Sequence, residues 1–180
     1  MHNELSFDPI AFANELAARR VASIAQNVAR WRIWVTSRLP EVLAMPDDAL
    51  EGRPGLFAWL FPTGAYSRLE PDAPRIARRE LAAAVESDQA LRDALAHAFD
   101  RALPLLGLVE ADGALTWCDG PAAWALGARC DKRVYRMLRC LHVAGLGAQA
   151  GMLMAFLQRE LGADARRAEA LGWYRHQVAS

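Results

Sequence analysis

Residues 129–161, RCDKRVYRMLRCLHVAGLGAQAGMLMAFLQREL, carry the pattern from which the rest of the chain can be read. At about 100° per residue, Cys130, Val134, Met137, Leu138 and Leu141 share one side of a helix. Arg129, Lys132, Arg133, Arg136 and Arg139 fall within an arc of about 120° on the opposite side, with Asp131 outside it. The spacing predicts one helix over about 131–144 and a second over about 148–161, with Gly145 and Gly147 in the turn. The stretch 141–157 is apolar but contains His142, Gln149 and three glycines. It falls short of the roughly 18 to 20 apolar residues of a membrane span, so a helical hairpin within a core is expected.

The basic arc contains no acid, whereas solvated helix faces usually mix signs. An open arc of this kind holds a phosphate, a carboxylate or a nucleic-acid backbone. A covered one pairs internally, with Glu51, Glu70 or Glu80 as candidates. The third reading is a plain solvated face.

Upstream, Leu91, Leu95, Ala98, Phe99 and Leu103 form another helical stripe, with Ser87 as its start and Pro104 and Gly107 as its end. A helix over about 75–86 precedes it, with Asp72 as the cap. Ala111-Asp112-Gly113 reads as a turn. Val109 and Leu115-Thr116-Trp117 flank it as a short two-stranded ribbon, the one β element expected. Between 41 and 62 two short helical pieces, EVLAM and GLFAWL, are separated by Pro46 and Pro54-Gly55, and 62–74 is a proline-punctuated loop. Asp8-Pro9 starts a long helix that runs to Leu39-Pro40. Ala17, Val21, Ile24, Val28, Trp31 and Val35 recur on it at steps of four and three, a coiled-coil-like seam. That seam either packs on the body of the protein or makes a homodimer through the same helix of a second chain. A last helix is expected over about 164–178. The expected fold class is all-α: one compact multi-helix domain over 1–180 with at most one short ribbon near 109–117.

Bulk properties narrow the function classes. Of 180 residues, 53% are hydrophobic and 23% charged, which excludes a disordered chain. Lys+Arg and Asp+Glu number 21 each, so no net field draws the protein to nucleic acid or an anionic membrane, and such binding needs a local patch. Lys132 is the only lysine, and with abundant alanine this reads as compositional bias. The start, MHNELSFDPIAF, lacks a basic segment followed by an apolar core, so no secretory signal is expected. Three cysteines in such a chain fit reduced thiols in the cytoplasm.

Chemistry-bearing motifs are scarce. Cys118, Cys130, Cys140 and His142 contain no C-x-x-C pair, and Cys140 and His142 point to different sides of a helix, so no metal is expected. His2, His97, His142 and His176 are the available bases, and none lies in a nucleophile-elbow or metalloprotease pattern. His97, one position from the stripe, is expected to be partly buried. There is no P-loop or G-x-G-x-x-G, and no catalytic residue or cofactor is assigned. The six tryptophans, Trp31, Trp34, Trp59, Trp117, Trp124 and Trp173, read as core anchors, with Trp124 the most exposed.

The segment Leu50-Glu51 with Trp59-Leu60-Phe61-Pro62 is similar to the opening of the conserved region of opioid growth factor receptors, LE-x-x-H-x-[YF]-I-Q-W-L-F-P. Ser67, Pro71, Ala73 and Pro74 follow in the order of that family's serine and N-P-x-A-P loop. Leu106-Gly107-Leu108 matches its L-G-L, and Arg133-Val134-Tyr135-Arg136-Met137-Leu138 resembles R-I-T-R-I-L, followed by Leu141 and Gly145-Leu146. The resemblance covers about 40–161 and implies a divergent, bacterial member, with 1–39 and 162–180 as helices outside it. The family's histidine before the aromatic pair is Pro54 here, its glutamine is Ala58, and the asparagine of N-P-x-A-P is Glu70. A histidine-asparagine pair before R-I-T-R-I-L is replaced around Arg129-Cys130. The hydrophobic scaffold is kept and the neutral hydrogen-bonding side chains are not, so peptide-receptor activity does not carry over.

The reading favours a binding or regulatory module over a catalyst, with a protein, a peptide or a small anionic ligand as partner. A small hydrolase or transferase without a visible motif is the alternative, and a nucleic-acid backbone binder using the arginine helix is a third. A basic cleft without a nearby base favours anion binding; His97 or His142 paired with a carboxylate in a pocket favours the enzyme.

Overall fold

The computed structural model describes residue 23, residues 25–118 and residues 128–161, with side chains in the last segment from 132 to 160. The starts of the long first helix and of its seam, Trp124, Trp173, His2, His176 and the expected last helix lie outside the described residues. Within them the protein is mostly α-helical, with one two-stranded antiparallel ribbon.

Helix α1, residues 25–37, runs through Arg38 into α2, Leu39–Leu43. The chain was expected to end its helix at Pro40. Pro40 lacks the N–H that the ladder needs, and the break shows as φ −123° at Arg38. Arg38 and Val42 still bond back four residues, to Trp34 and Arg38, so the helical path resumes. Its inner face, Trp31, Val35, Leu39 and Val42, is buried, and this part of the seam is covered by the protein's own core. Ile33, off the seam, is 64% exposed.

An unexpected helix, α3, spans Asp47–Glu51. Pro46 is its N-cap residue rather than a breaker, Asp47 and Asp48 occupy the first turn, and Leu50 anchors it in the core. A 3-10 turn, Pro54–Leu56, leads into α4, Phe57–Leu60. Phe57, Leu60, Phe61 and Pro62 are buried. Trp59 is only half-buried: its ring stacks on Trp34 at 5.5 Å, with Arg30 6.0 Å from the ring centroid.

From Phe61 to Ala77 the chain is irregular but tied down. A parallel bridge joins Thr63 to Arg75, and Ile76 donates to the Thr63 carbonyl at 3.2 Å. Ser67, half-buried, accepts from the Glu70 amide at 3.2 Å; Pro74 is buried and Pro71 exposed. That extended tie delays α5 to Arg78–Ser87, three residues later than expected, and Asp72 does not cap it. Helix α6, Gln89–Leu105, is capped by Asp88 rather than Ser87, whose hydroxyl bonds back to Ala83. The α6 stripe is buried as its spacing predicts, while His97 is exposed rather than partly buried. Ala94 and Ala102 complete the inner face, which leaves His97 on the outer one.

Strands β1, Leu108–Ala111, and β2, Ala114–Trp117, pair across Asp112 and Gly113, both at positive φ, as a two-residue hairpin turn requires. Trp117 meets Phe156 edge-on at 5.0 Å and donates to Glu160 at 2.9 Å. The ribbon therefore lies on α8, Gly147–Leu161. Helix α7, Ala128–Val143, precedes α8. Leu146 donates to Leu141 and Gly145 to His142 across a left-handed Gly145, a Schellman C-cap. The hairpin expected from the sequence is present, and no helix of the described residues is long and apolar enough to cross a membrane.

Candidate functional site

The inner face of α7 explains why its basic face is crowded. Val134, Met137, Leu138, Cys140 and Leu141 are buried, which draws α7 against α5 and α4 and leaves its flanking arginines at the seams. The arc is thus not one open surface. The Arg129 side chain lies outside the described residues, and Lys132 is exposed. Arg133 sits over the Phe57 ring at 4.9 Å. Arg136 makes long hydrogen bonds to the carbonyls of Phe61, at 3.4 Å, and Ala65, at 3.3 Å. Desolvation pulls its guanidinium pKa below the usual value. Neither arginine has a carboxylate partner among the described residues. Of the three candidate glutamates, Glu80 turns Oε2 into the protein without a hydrogen-bond partner. Backbone carbonyls and an aromatic face take the place the glutamates were expected to fill.

Arg139 is different. Its Nη1 donates to the Tyr135 hydroxyl at 2.8 Å, and the residue lines a cavity of about 290 Å³ between α7, the start of α5 and the 63–65 loop. Arg78, at the start of α5, lines the same cavity. Ile76, Leu81 and Val143 are among its apolar lining residues. The first turn of α5 has no side-chain cap, and its first intrahelical bond is Leu81 to Ala77, so three backbone N–H groups at this end lack a helical acceptor. The macrodipole adds positive potential there. Arg78 has a further interaction within the fold, and Arg139 is held by Tyr135 through one nitrogen.

Proton-transfer groups are scarce in the cavity's described lining. No histidine, aspartate or glutamate is among its described lining residues. Cys140 borders it, but burial pushes the thiol far above the ordinary range, so it stays protonated and is a poor nucleophile. His97 and His142 are exposed elsewhere. No cluster of His, Cys, Asp or Glu among the described residues is arranged to hold a metal ion. A second hollow, of about 400 Å³, lies between the 52–56 turn and Leu69-Glu70, where Arg53 and Glu70 bring opposite charges.

No family model, curated protein or solved structure matches the chain.

The sequence pattern singled out Arg139 but not Arg78. A signal was present: APRIARRE places two arginines at a helix start, where the macrodipole disfavours cations. Glu80 in the same turn offsets part of that charge, and the arginine pair at a helix start is a departure of the kind functional sites show.

Proposed function

We propose that this chain is a non-catalytic helical binding module, of the opioid growth factor receptor-like type, that takes a small anion in the cleft between α5 and α7. The observation that carries this is a cavity lined by two arginines, Arg78 and Arg139, with neither an acid nor a base in its described lining. Such a site attracts negative charge and lacks the proton-transfer group that turning over a ligand requires.

The family reading draws support from a contact between its separate blocks. Arg133 and Arg136, the two charges of the R-V-Y-R-M-L block, pack on Phe57 and the Phe61 carbonyl, within the segment that ends in W-L-F-P. A cytoplasmic setting is part of the same proposal, resting on a free Cys118 and a free, buried Cys140.

The test is thermal stabilisation by phosphate, sulfate and acetate at constant ionic strength. A ligand at 100 times its Kd stabilises by about 2.7 kcal/mol, a readily measured shift. Wild type should show a saturable rise, Lys132→Gln should retain it and Arg139→Gln should lose it. Equal responses from wild type and Arg139→Gln would refute the site.

A further inference from the structure

Resting on the anion site proposed above, we infer that its ligand is a small organic monocarboxylate with an aromatic or branched apolar body, rather than an inorganic oxyanion. The lining mixes two kinds of residue. Arg139 and Arg78 are cationic. Ile76 and Leu81, both buried, Val143, Cys140 and two alanines are apolar, and Thr63 is the remaining polar side chain.

A phosphate presents oxygens in every direction and needs donors around it. Oxygens turned toward Ile76, Leu81 and Val143 would lose water without replacement, which is costly for a charged group. A carboxylate concentrates its charge at one end. Both of its oxygens can face the planar guanidinium fork of Arg139, whose Nη1 is held by Tyr135 while Nε and Nη2 have no partner among the described residues. The rest of the molecule then lies on the apolar residues and gains by leaving water. Cys140 belongs with these, since a buried neutral thiol behaves as a small hydrophobe.

Size bounds the ligand as well. At about 290 Å³ the cavity is at the lower limit of small-molecule sites, which span roughly 300–1,000 Å³. One ring or a short branched chain fits that limit. Nucleotides and lipids, with several anionic oxygens or a long tail, do not.

The experiment is calorimetric titration of the full chain with benzoate, acetate, phosphate and benzyl alcohol, at matched ionic strength. Benzoate should bind at least roughly tenfold more tightly than acetate, the equivalent of about 1.4 kcal/mol from the apolar body. It should also outcompete phosphate, while benzyl alcohol, apolar but uncharged, should not bind measurably. Val143→Thr, which keeps the shape and adds a hydroxyl, should lower benzoate affinity by a larger factor than acetate affinity. Arg139→Gln should abolish both. If acetate and phosphate bind through Arg139 as tightly as benzoate, the carboxylate-with-body inference is overturned while the anion site stands. If none of the anions binds wild type, the site itself is refuted.

Discussion

Tyr135 accepts a hydrogen bond from Nη1 of Arg139, one turn further along α7, at 2.8 Å. The contact fixes a long side chain before any ligand arrives. A guanidinium held in place loses less rotamer entropy on binding, and such preorganisation raises affinity without adding a contact. Tyr135 is therefore a positioning residue, set behind the arginine rather than in the cavity lining.

Tyr135→Phe isolates that role. The ring stays and only the hydroxyl goes, so the expected cost to binding is one hydrogen bond, about 0.5–1.5 kcal/mol or several-fold in Kd. Titration with the anion that wild type prefers gives the affinity, and helical circular dichroism reports the fold. An unchanged Kd would show that Arg139 does not depend on its neighbour.

Arg136 should behave in the opposite way. Two of its five donors go to the Phe61 and Ala65 carbonyls, which tie the loop to α7. Arg136→Lys offers a single ammonium where two divergent carbonyls were served, so a loss of roughly 1–2 kcal/mol in urea unfolding is expected. Anion affinity should stay within about twofold of wild type, since a 0.4 kcal/mol change is below what loss of a ligand contact produces. A variant that binds poorly yet unfolds normally would return Arg136 to the site.

Periodicity made the α7–α8 hairpin, the α6 stripe and the ribbon legible, because each is specified by neighbours in sequence. Asp112-Gly113 has the residue types that two positive φ angles demand. Other features depend on distant partners. Leu50 makes a helix of a five-residue acidic segment only because a core exists to receive it. The start of α5 is displaced because Thr63 captures the Ile76 amide. The five basic positions of the arc look equivalent on a helical wheel. What becomes of Arg136 is settled by carbonyls 75 and 71 residues away, and no local pattern reports that separation. The cavity joins three segments in the same way, so Arg139 was legible as a cation and not as part of a wall.

Arg101 offers a stability test far from the cavity. From α6 it donates to the carbonyls of Leu43, at 3.1 Å, and Met45, at 2.5 Å, and pairs with Asp47 at 2.7 Å, with its side chain 15% exposed. It thereby holds the end of α2 and the start of α3. Arg101→Met keeps the stem and removes all three contacts, so about 2–4 kcal/mol should be lost in urea titration. A loss below about 0.5 kcal/mol, typical of surface substitutions, would show the contacts to be idle.

Acid sensitivity has a local source at Glu160. The Trp117 indole N–H first, with help from Arg159, holds its carboxyl below the usual carboxylate range, against the opposing effect of burial. A depressed folded pKa gives stability that is complete above the unfolded carboxylate value and lost as pH falls through the lowered one. Trp117→Phe removes the donor, so its stability deficit relative to wild type should be larger at neutral pH than below the carboxylate range. Because Glu160 is partly solvated, the pH-dependent part should be under about 1 kcal/mol. Urea midpoints at the two pH values separate it from the constant loss of packing against Phe156. A deficit independent of pH would remove Glu160 from the acid response.

Two tryptophans in contact should differ sharply when truncated. Trp31 is 1% exposed, and its Nε1 donates to the Trp59 carbonyl at 3.1 Å, so it joins α1 to α4 by both volume and a hydrogen bond. Trp59 contributes the backbone half of that bond, but its own ring is half-buried, lying on Trp34 and beside Arg30. Trp31→Ala opens a cavity the size of an indole and should cost about 3–5 kcal/mol. Trp59→Ala leaves the carbonyl acceptor in place and exposes its gap to water, so roughly 1–2 kcal/mol is expected, mainly from lost stacking and area. Paired urea titrations monitor the difference. Equal costs would mean that Trp59 is enclosed in solution. A small cost at Trp31 would detach α1 from the core and free the seam formed by Val28, Trp31 and Val35 for a second chain.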